Sequence, residues 1–383
     1  MNLETFSISQ HKFITPINPV ETQNKFNIKS VPRSYPVVFD ETVDVMLAIN
    51  RILATNPLNL LLIDARVHEL YGVALSHPES KTFKAPATEE FKTIDGMLNI
   101  VNFMSLNEMT KGEKLIVVGG GIIQDIGAFA AVVYKRGIPW VYFPTTLLSQ
   151  SDSCIGGKTG LNHQSAKNQL ALFSAPSEVI INPGFLKTLA LPDIQSGMGE
   201  ILKLHIIGGR GFLDHYIKYQ PEPGKIPSAR ATKELVLGAL AVKKVVIERD
   251  EFELDLRRSL NYGHTFGHAV EILSNYQIPH GQAVTVGMIL VNELSFRLNF
   301  LSKANRDQIR ELAFKLLDPS VLDIMKSLKI EGLFQLLKKD KKTRGSKVNF
   351  IFLYDLGDVR FFQMELDEKL IGDVTLILHE IFQ

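Results

Sequence analysis

One cysteine, Cys154, stands in a chain of 383 residues. That excludes an internal disulfide and any cysteine-rich metal site. Net charge is nearly absent too: a formal +1 gives no reason to expect nucleic acid or an anionic membrane as partner. No apolar run is long enough to span a bilayer. The start, MNLETFSISQHKF, lacks the basic residues and apolar core of a signal peptide, so the expected location is the cytoplasm. There is no internal repeat and no low-complexity tract. What is present is ordinary globular material, 45% hydrophobic and 22% charged, in a chain longer than one usual domain.

The pattern divides the chain in two. Residues 1–35 are polar and pattern-poor and are expected to form an irregular lead-in. Short apolar runs bounded by turn residues follow at 58–64, 113–121, 138–144 and 177–182. They read as buried parallel strands, with a helical pattern at 93–105 between them. After Leu191-Pro192 the period becomes mainly helical, as in 283–300, until a late strand at 347–355 and a terminal helix. PEPGKIPS (221–228) reads as a loop within the second half. The expected fold is α/β, with a Rossmann-like N-terminal domain over 1–190 and a mainly α-helical C-terminal domain over 191–383.

Two segments favour anions. In VVGGGIIQD (117–125) three glycines follow a strand, where backbone N–H groups and a helix amino terminus suit a pyrophosphate. The strict G-x-G-x-x-G spacing is missing, and a plain strand-to-helix turn explains the glycines about as well. In SDSCIGGKTGLNHQSAKN (151–168), Gly156-Gly157 precede Lys158, and Lys167-Asn168 follow. These donors and cations suit phosphate better than they suit a merely solvated loop.

Other residues point to a metal. Glu200 and Lys203 in GMGEILKLH lie one helical turn apart, a usual surface pair made unusual by apolar surroundings. RRSLNYGHTFGHAVE (257–271) places His264 and His268 on one helical face. A zinc-protease helix would need glutamate at 265, which is threonine. His280 lies beyond, in a turn-like PHGQ. Glu200 and His264 with either His268 or His280 would make an open three-ligand site, and spacing does not choose between them.

Together these motifs resemble the sugar phosphate cyclase superfamily, and within it the 3-dehydroquinate synthases. The likeness runs from about Leu58 to Gly357. It is carried by E-x-x-K at Glu89 to Lys92, GGG-x-x-x-D at Gly119 to Asp125, and RG…PTTLL at Arg136 to Leu148. DS-x-x-GGKT…KN at Asp152 to Asn168, FLKTL at Phe185 to Leu189 and GE-x-x-K at Gly199 to Lys203 follow. R-x-x-LN-x-GHTFGHA-x-E at Arg257 to Glu271, HG at His280 and DKK at Asp340 complete it.

The resemblance implies an enzyme with two cofactors. NAD would be recycled, and a divalent metal, zinc or else cobalt, would be held by Glu200, His264 and His280 while His268 faces substrate. Asp64, Glu89, Lys92, Gly120, Gly121, Asp125, Thr145, Thr146, Lys158, Lys167, Phe185 and Thr188 match cofactor-binding positions. Arg136, Asp152, Lys158, Asn168, Lys203, Lys243, Arg257, Asn261, His268 and Lys342 match positions around the substrate, with Arg136 expected to reach in from the partner of a homodimer. The implied reaction, a step of the shikimate pathway to aromatic amino acids, is a phosphate-eliminating lyase reaction. It converts 3-deoxy-D-arabino-heptulosonate 7-phosphate, a phosphorylated sugar acid, into 3-dehydroquinate by oxidation, β-elimination, reduction and aldol closure.

Departures bear on the substrate. Gln124 stands where the family has glycine, Gln282 where it has glutamate, and the polar start is long. They leave open another cyclase, acting on sedoheptulose 7-phosphate or an amino analogue, and more remotely a metal-dependent polyol dehydrogenase. Arg257, Asn261 and His268 are all retained, and an arginine fork is most useful against a carboxylate.

Overall fold

The computed structural model describes residues 3–164, 166–328, 330–339 and 347–382. The chain divides into two compact units, Val20–Leu189 and a second made of Met1–Pro19 with Ala190–Gln383. Against the expected 1–190 and 191–383, residues 1–19 therefore belong to the other unit. The expected irregular lead-in is also corrected. β1 (Leu3–Ile8) and β2 (His11–Pro16) form an antiparallel hairpin, and β3 (Lys25–Ile28) pairs antiparallel with β4 (Tyr35–Phe39). Each buries only alternate residues, such as Phe6, Ile8, Phe13 and Phe26. So short a period-two pattern is hard to see without the partner strand.

In Val20–Leu189 the further strands are β5 (Leu60–Asp64), β6 (Thr82–Ala85), β7 (Leu115–Gly119), β8 (Trp140–Pro144), β9 (Lys158–His163), β10 (Ala166–Phe173) and β11 (Glu178–Ile181). Seven of these strands form one sheet in the order β3-β4-β11-β8-β7-β5-β6. From β4 to β6 every neighbouring pair is parallel. β7 and β8 are buried at every position, which is why they read as unbroken apolar runs. β5 has the later β7 on one side and β6 on the other, so strand order reverses there. The crevice at the carboxyl ends of β5 and β7 is the usual ligand position of such a sheet.

The segment 151–168 is more structured than a loop. A single π turn, Ser149–Ser153, leads to Gly156 and Gly157 at φ 95° and 64°. β9 and β10 then form an antiparallel hairpin.

The second unit is mainly helical, with β12 (Lys347–Asp355) and β13 (Asp358–Glu365) added. Its strands make a four-stranded sheet, β12-β13-β1-β2, with β1 parallel to β13. Its helices include Leu191–Gly208, Ala229–Arg249, His264–Leu273 and His280–Arg297. Among the described residues no helix is long and apolar enough to cross a membrane.

Candidate functional site

In the second unit, glycines let three helices approach at backbone distance. A Cβ on Gly199 would stand 2.3 Å from the carbonyl oxygen of Gly281, and one on Gly287 would stand 1.9 Å from that of Gly263. The next or preceding residues are Glu200, His264 and His280, so the close crossings bring these side chains together. Gly263, at φ 81°, starts the helix that carries His264 and His268.

Glu200 is 1% exposed. Its Oε1 lies 3.6 Å from His264 Nε2 and 3.5 Å from His280 Nε2. Lys203 Nζ approaches Oε2 to 2.5 Å, yet neither carboxylate oxygen accepts an aligned hydrogen bond from a described residue. His264 Nδ1 lies 3.2 Å from the carbonyl oxygen of Tyr262. When Nδ1 donates there, the Nε2 lone pair faces Glu200. An acceptor facing an acceptor calls for a cation between them. His264, His268 and His280 also group, with one nitrogen of each within 4.8 Å of the others. His264 is buried and His268 exposed. The geometry thus contains one of the sets that spacing left open, Glu200 with His264 and His280, and beside it a set of the three histidines.

Charge follows the same lines. Burial raises the Glu200 carboxyl, but the Lys203 ammonium and His280 outweigh it and hold the group well below the usual carboxylate range. Burial opposes a charged His280, but Glu200 and Glu271 outweigh it and lift its pKa to about 9. A proton on His280 offsets the acidic pair when no metal does. Glu271, which contacts His280 Nδ1 at 3.1 Å, was not singled out from the sequence.

Lys243 and Arg257 are both buried. Arg257 donates from Nη1 to the carbonyl oxygen of Glu251, and its backbone N–H donates to Asp250 Oδ2 at 2.9 Å. The Asp250 carboxylate also accepts from the N–H groups of Leu254 and Asp255, so one aspartate shapes the turn that presents Arg257. Asn261 donates to Glu253 Oε1 at 3.2 Å. Lys342 lies outside the described residues.

In the first unit the expected cofactor residues collect at the carboxyl ends of the strands. Asp64 ends β5, Gly120 and Gly121 follow β7, and Thr145 and Thr146 follow β8. A Cβ on Gly120 would stand 2.9 Å from Thr146 Cγ2, whereas one on Gly121 would meet nothing closer than 3.9 Å. Asp64 caps the following helix through the Arg66 N–H at 2.8 Å. Phe185 packs edge-on to Tyr71, whose hydroxyl lies 3.0 Å from Thr188 Oγ1.

A second network joins Lys92, Asp125, Glu89 and Lys167. Lys92 Nζ lies 2.5 Å from Asp125 Oδ2 and Lys167 Nζ 3.3 Å from Glu89 Oε1. Burial lifts Asp125 to about 6 despite Lys92. Glu89 is lowered: burial opposes its charge, but the Asn162 amide and Lys167 outweigh it. Asn162, missed in the sequence, donates to Glu89 Oε2 at 2.7 Å and accepts from the Asn168 N–H at 3.0 Å. Gln124, the departure from the family's glycine, exchanges hydrogen bonds with Ser153 at 2.7 and 2.6 Å. It ties the π turn bearing Asp152 to the helix after the glycines. Lys158 and Arg136 are exposed. A cleft of about 450 Å³ lined by Thr93, Asp95, Gly96, Asn99 and Asn162 shares Asn162 with this network but includes none of the glycines at 119–121.

Residues 82–196 match the family model of the 3-dehydroquinate synthase N-terminal region, and residues 197–343 match that of the C-terminal region. The chain is 35% identical over 321 residues to the 3-dehydroquinate synthase of Dictyoglomus turgidum, covering 82% of this chain and 86% of that protein. It is 36% identical over 285 residues to that of a Nostoc species, covering 73% and 77%. A solved structure of 2-epi-5-epi-valiolone synthase from Streptomyces hygroscopicus, with NAD+ and Zn2+ bound, aligns with a TM-score of 0.70 at 26% identity over 92% of this chain and 98% of that one. A 2-deoxy-scyllo-inosose synthase complexed with carbaglucose-6-phosphate, NAD+ and Co2+ shares the fold, with a TM-score of 0.79 at 22% identity over 93% and 99%. The chain belongs to the 3-dehydroquinate synthase family, whose members are phosphate-eliminating lyases.

Proposed function

We propose that the protein is a 3-dehydroquinate synthase that converts 3-deoxy-D-arabino-heptulosonate 7-phosphate into 3-dehydroquinate and phosphate. The observation that carries the reading is the buried Glu200 carboxylate, with two imidazole Nε2 atoms beside one of its oxygens, in a chain of this family. A carboxylate and two neutral imidazoles form a donor set for a divalent ion with a coordination position left for substrate. The ligand set is Glu200, His264 and His280. His268, exposed beside them, is left to face substrate. NAD is assigned to the first unit, on the glycine turn at 119–121 with Asp64, Lys92 and Asp125.

When bound, NAD supplies reversible hydride uptake, and a divalent ion such as zinc or cobalt supplies polarisation of hydroxyl and carbonyl oxygens. The chain's own residues bind, orient and neutralise. Lys158, Lys167 and Asn168 offer cations and an amide to the phosphate that leaves. Arg257, shaped by Asp250, offers a planar fork to the substrate carboxylate. Lys203 and Lys243 are buried cations for the anionic ring substrate. The net change breaks one carbon–oxygen bond to phosphate and forms one ring carbon–carbon bond, and the hydride removed is returned. The reading carries with it a cytoplasmic homodimer, with Arg136 exposed for the partner's site.

The likeness to the valiolone synthase favours a second reading, a cyclase for an uncarboxylated sugar phosphate. One experiment separates them. With NAD+ and zinc, phosphate release should occur from the heptulosonate and not from sedoheptulose 7-phosphate, with no net NADH. Release from the uncarboxylated sugar alone would install the second reading. Stoichiometric NADH would replace both with a dehydrogenase.

A further inference from the structure

We propose that Glu271 is a positioning residue of the metal centre: its carboxylate fixes the His280 ring so that Nε2 faces Glu200. The inference rests on the reading of His280 as a ligand, and it holds equally for the three-histidine set, to which His280 also belongs.

The two buried-side histidines are held differently. His264 sits inside the crossing of helices, and the carbonyl oxygen of Tyr262 lies 3.2 Å from its Nδ1. His280 is the first residue of its helix, and its side chain is 35% exposed. A ring there has rotamer freedom that neither helix nor core removes. What faces its Nδ1 is Glu271 Oε2 at 3.1 Å, from a side chain only 13% exposed. The opposite nitrogen, Nε2, stands 3.5 Å from Glu200 Oε1.

The sequence builds this contact. Glu271 is seven residues after His264 and three after His268, which places all of them on one face of the helix His264–Leu273. Ser274 turns the chain back after that helix: its backbone N–H donates to Val270, and its Oγ accepts from the Ile278 N–H at 3.3 Å. His280 thereby returns to the face it left. An Nδ1–H donated to a carboxylate fixes the tautomer, leaves the lone pair on Nε2 and makes the imidazole a stronger donor to a metal. Because Glu271 meets the far nitrogen of the ring, it acts through His280 rather than on the ion.

The test uses the full chain, stripped of metal and titrated with zinc against a chromophoric chelator. Glu271→Gln keeps an acceptor for Nδ1–H but loses the charge, and should weaken zinc binding about 10-fold. Glu271→Ala loses both, and should weaken it toward 100-fold. Cobalt-loaded variants should show altered visible d–d bands, and the melting temperature of metal-free Glu271→Gln should match the parent. His280→Ala is the reference for loss of the ligand itself. Parental zinc affinity in both Glu271 variants, with zinc lost in His280→Ala, would overturn the inference and leave the ligand reading standing. Parental affinity in His280→Ala would overturn both. A fall in metal-free melting temperature of Glu271→Gln that accounts for its weaker binding would assign Glu271 a structural role and overturn the inference alone.

Discussion

Gly281 leaves no room for a side chain against Ser196: a Cβ there would stand 1.8 Å from the Ser196 carbonyl oxygen. The Gly281 N–H also donates to Ser196 Oγ at 2.9 Å. The helices bearing Glu200 and His280 meet at this point. Gly281→Ala must therefore push them apart, at a cost of about 3 kcal/mol or more. Because His280 is the adjacent residue, zinc affinity should fall with stability. Urea unfolding and zinc titration would check this, and parental values in both would show that the crossing is not what aligns the site.

The histidines should divide by role. His264→Ala and His280→Ala each remove one donor from a three-ligand set, and should lose zinc by 100-fold or more. His268→Ala should keep zinc but lose most phosphate release. Metal stoichiometry after gel filtration distinguishes the two ligand sets. Equal metal loss from all three variants would make the centre a three-histidine site, with Glu200 paired to Lys203 instead.

Lys92 and Asp125 form a buried pair of the first unit, with side chains 7% and 21% exposed. Burial has already pushed Asp125 to about 6. Lys92→Met removes the opposing charge and should cost roughly 3–5 kcal/mol at neutral pH. It should also weaken NAD binding. Its carboxylate would then titrate above 6, so the difference from the parent should narrow as pH falls and Asp125 becomes neutral. Urea unfolding on both sides of that pH is the measurement, and a pH-independent difference would count against the pair.

How legible these features were depended on where their partners lie. β7 and β8 are buried on both faces, so 115–119 and 140–144 show as apolar runs by themselves. β1 does not, because it is half polar and its parallel partner β13 lies at the other end of the chain. The hairpin of β9 and β10 was hidden because its polar residues serve a network rather than a core. In the proposed metal centre, the four-residue spacing of His264 and His268 was visible, but only the Gly199–Gly281 approach shows how Glu200 comes beside His264 and His280. Glu271 had a usable signal, three residues beyond His268 on the same face. Asn162 had none, since its role arises from contact with Glu89, distant in sequence.

His205 provides a test of the second unit that involves no ligand. It lies fully buried on the helix Leu191–Gly208, with Nδ1 2.8 Å from the Ile201 carbonyl oxygen. Its Nε2 has no hydrogen-bond partner among the described residues, and a Cβ on Gly238 would stand 2.5 Å from it. Burial, with the nearby His215 adding to it, lowers its pKa from 6.5 to about 3. His215 is itself lowered by burial, against the opposing pull of Glu234. The folded chain therefore keeps His205 neutral through a range in which the unfolded chain takes up a proton. Stability from this group is fully present above 6.5 and is lost as pH falls toward 3. His205→Leu should lose the hydrogen bond to Ile201 at every pH but should decline less steeply in acid. The two stability curves should converge by roughly 2–3 kcal/mol between pH 7 and about pH 4.5. Urea unfolding across that range measures the convergence, and His215, present in both proteins, cancels from the comparison. Parallel curves would mean that His205 takes up its proton in the folded state and that its burial does not drive the acid limb.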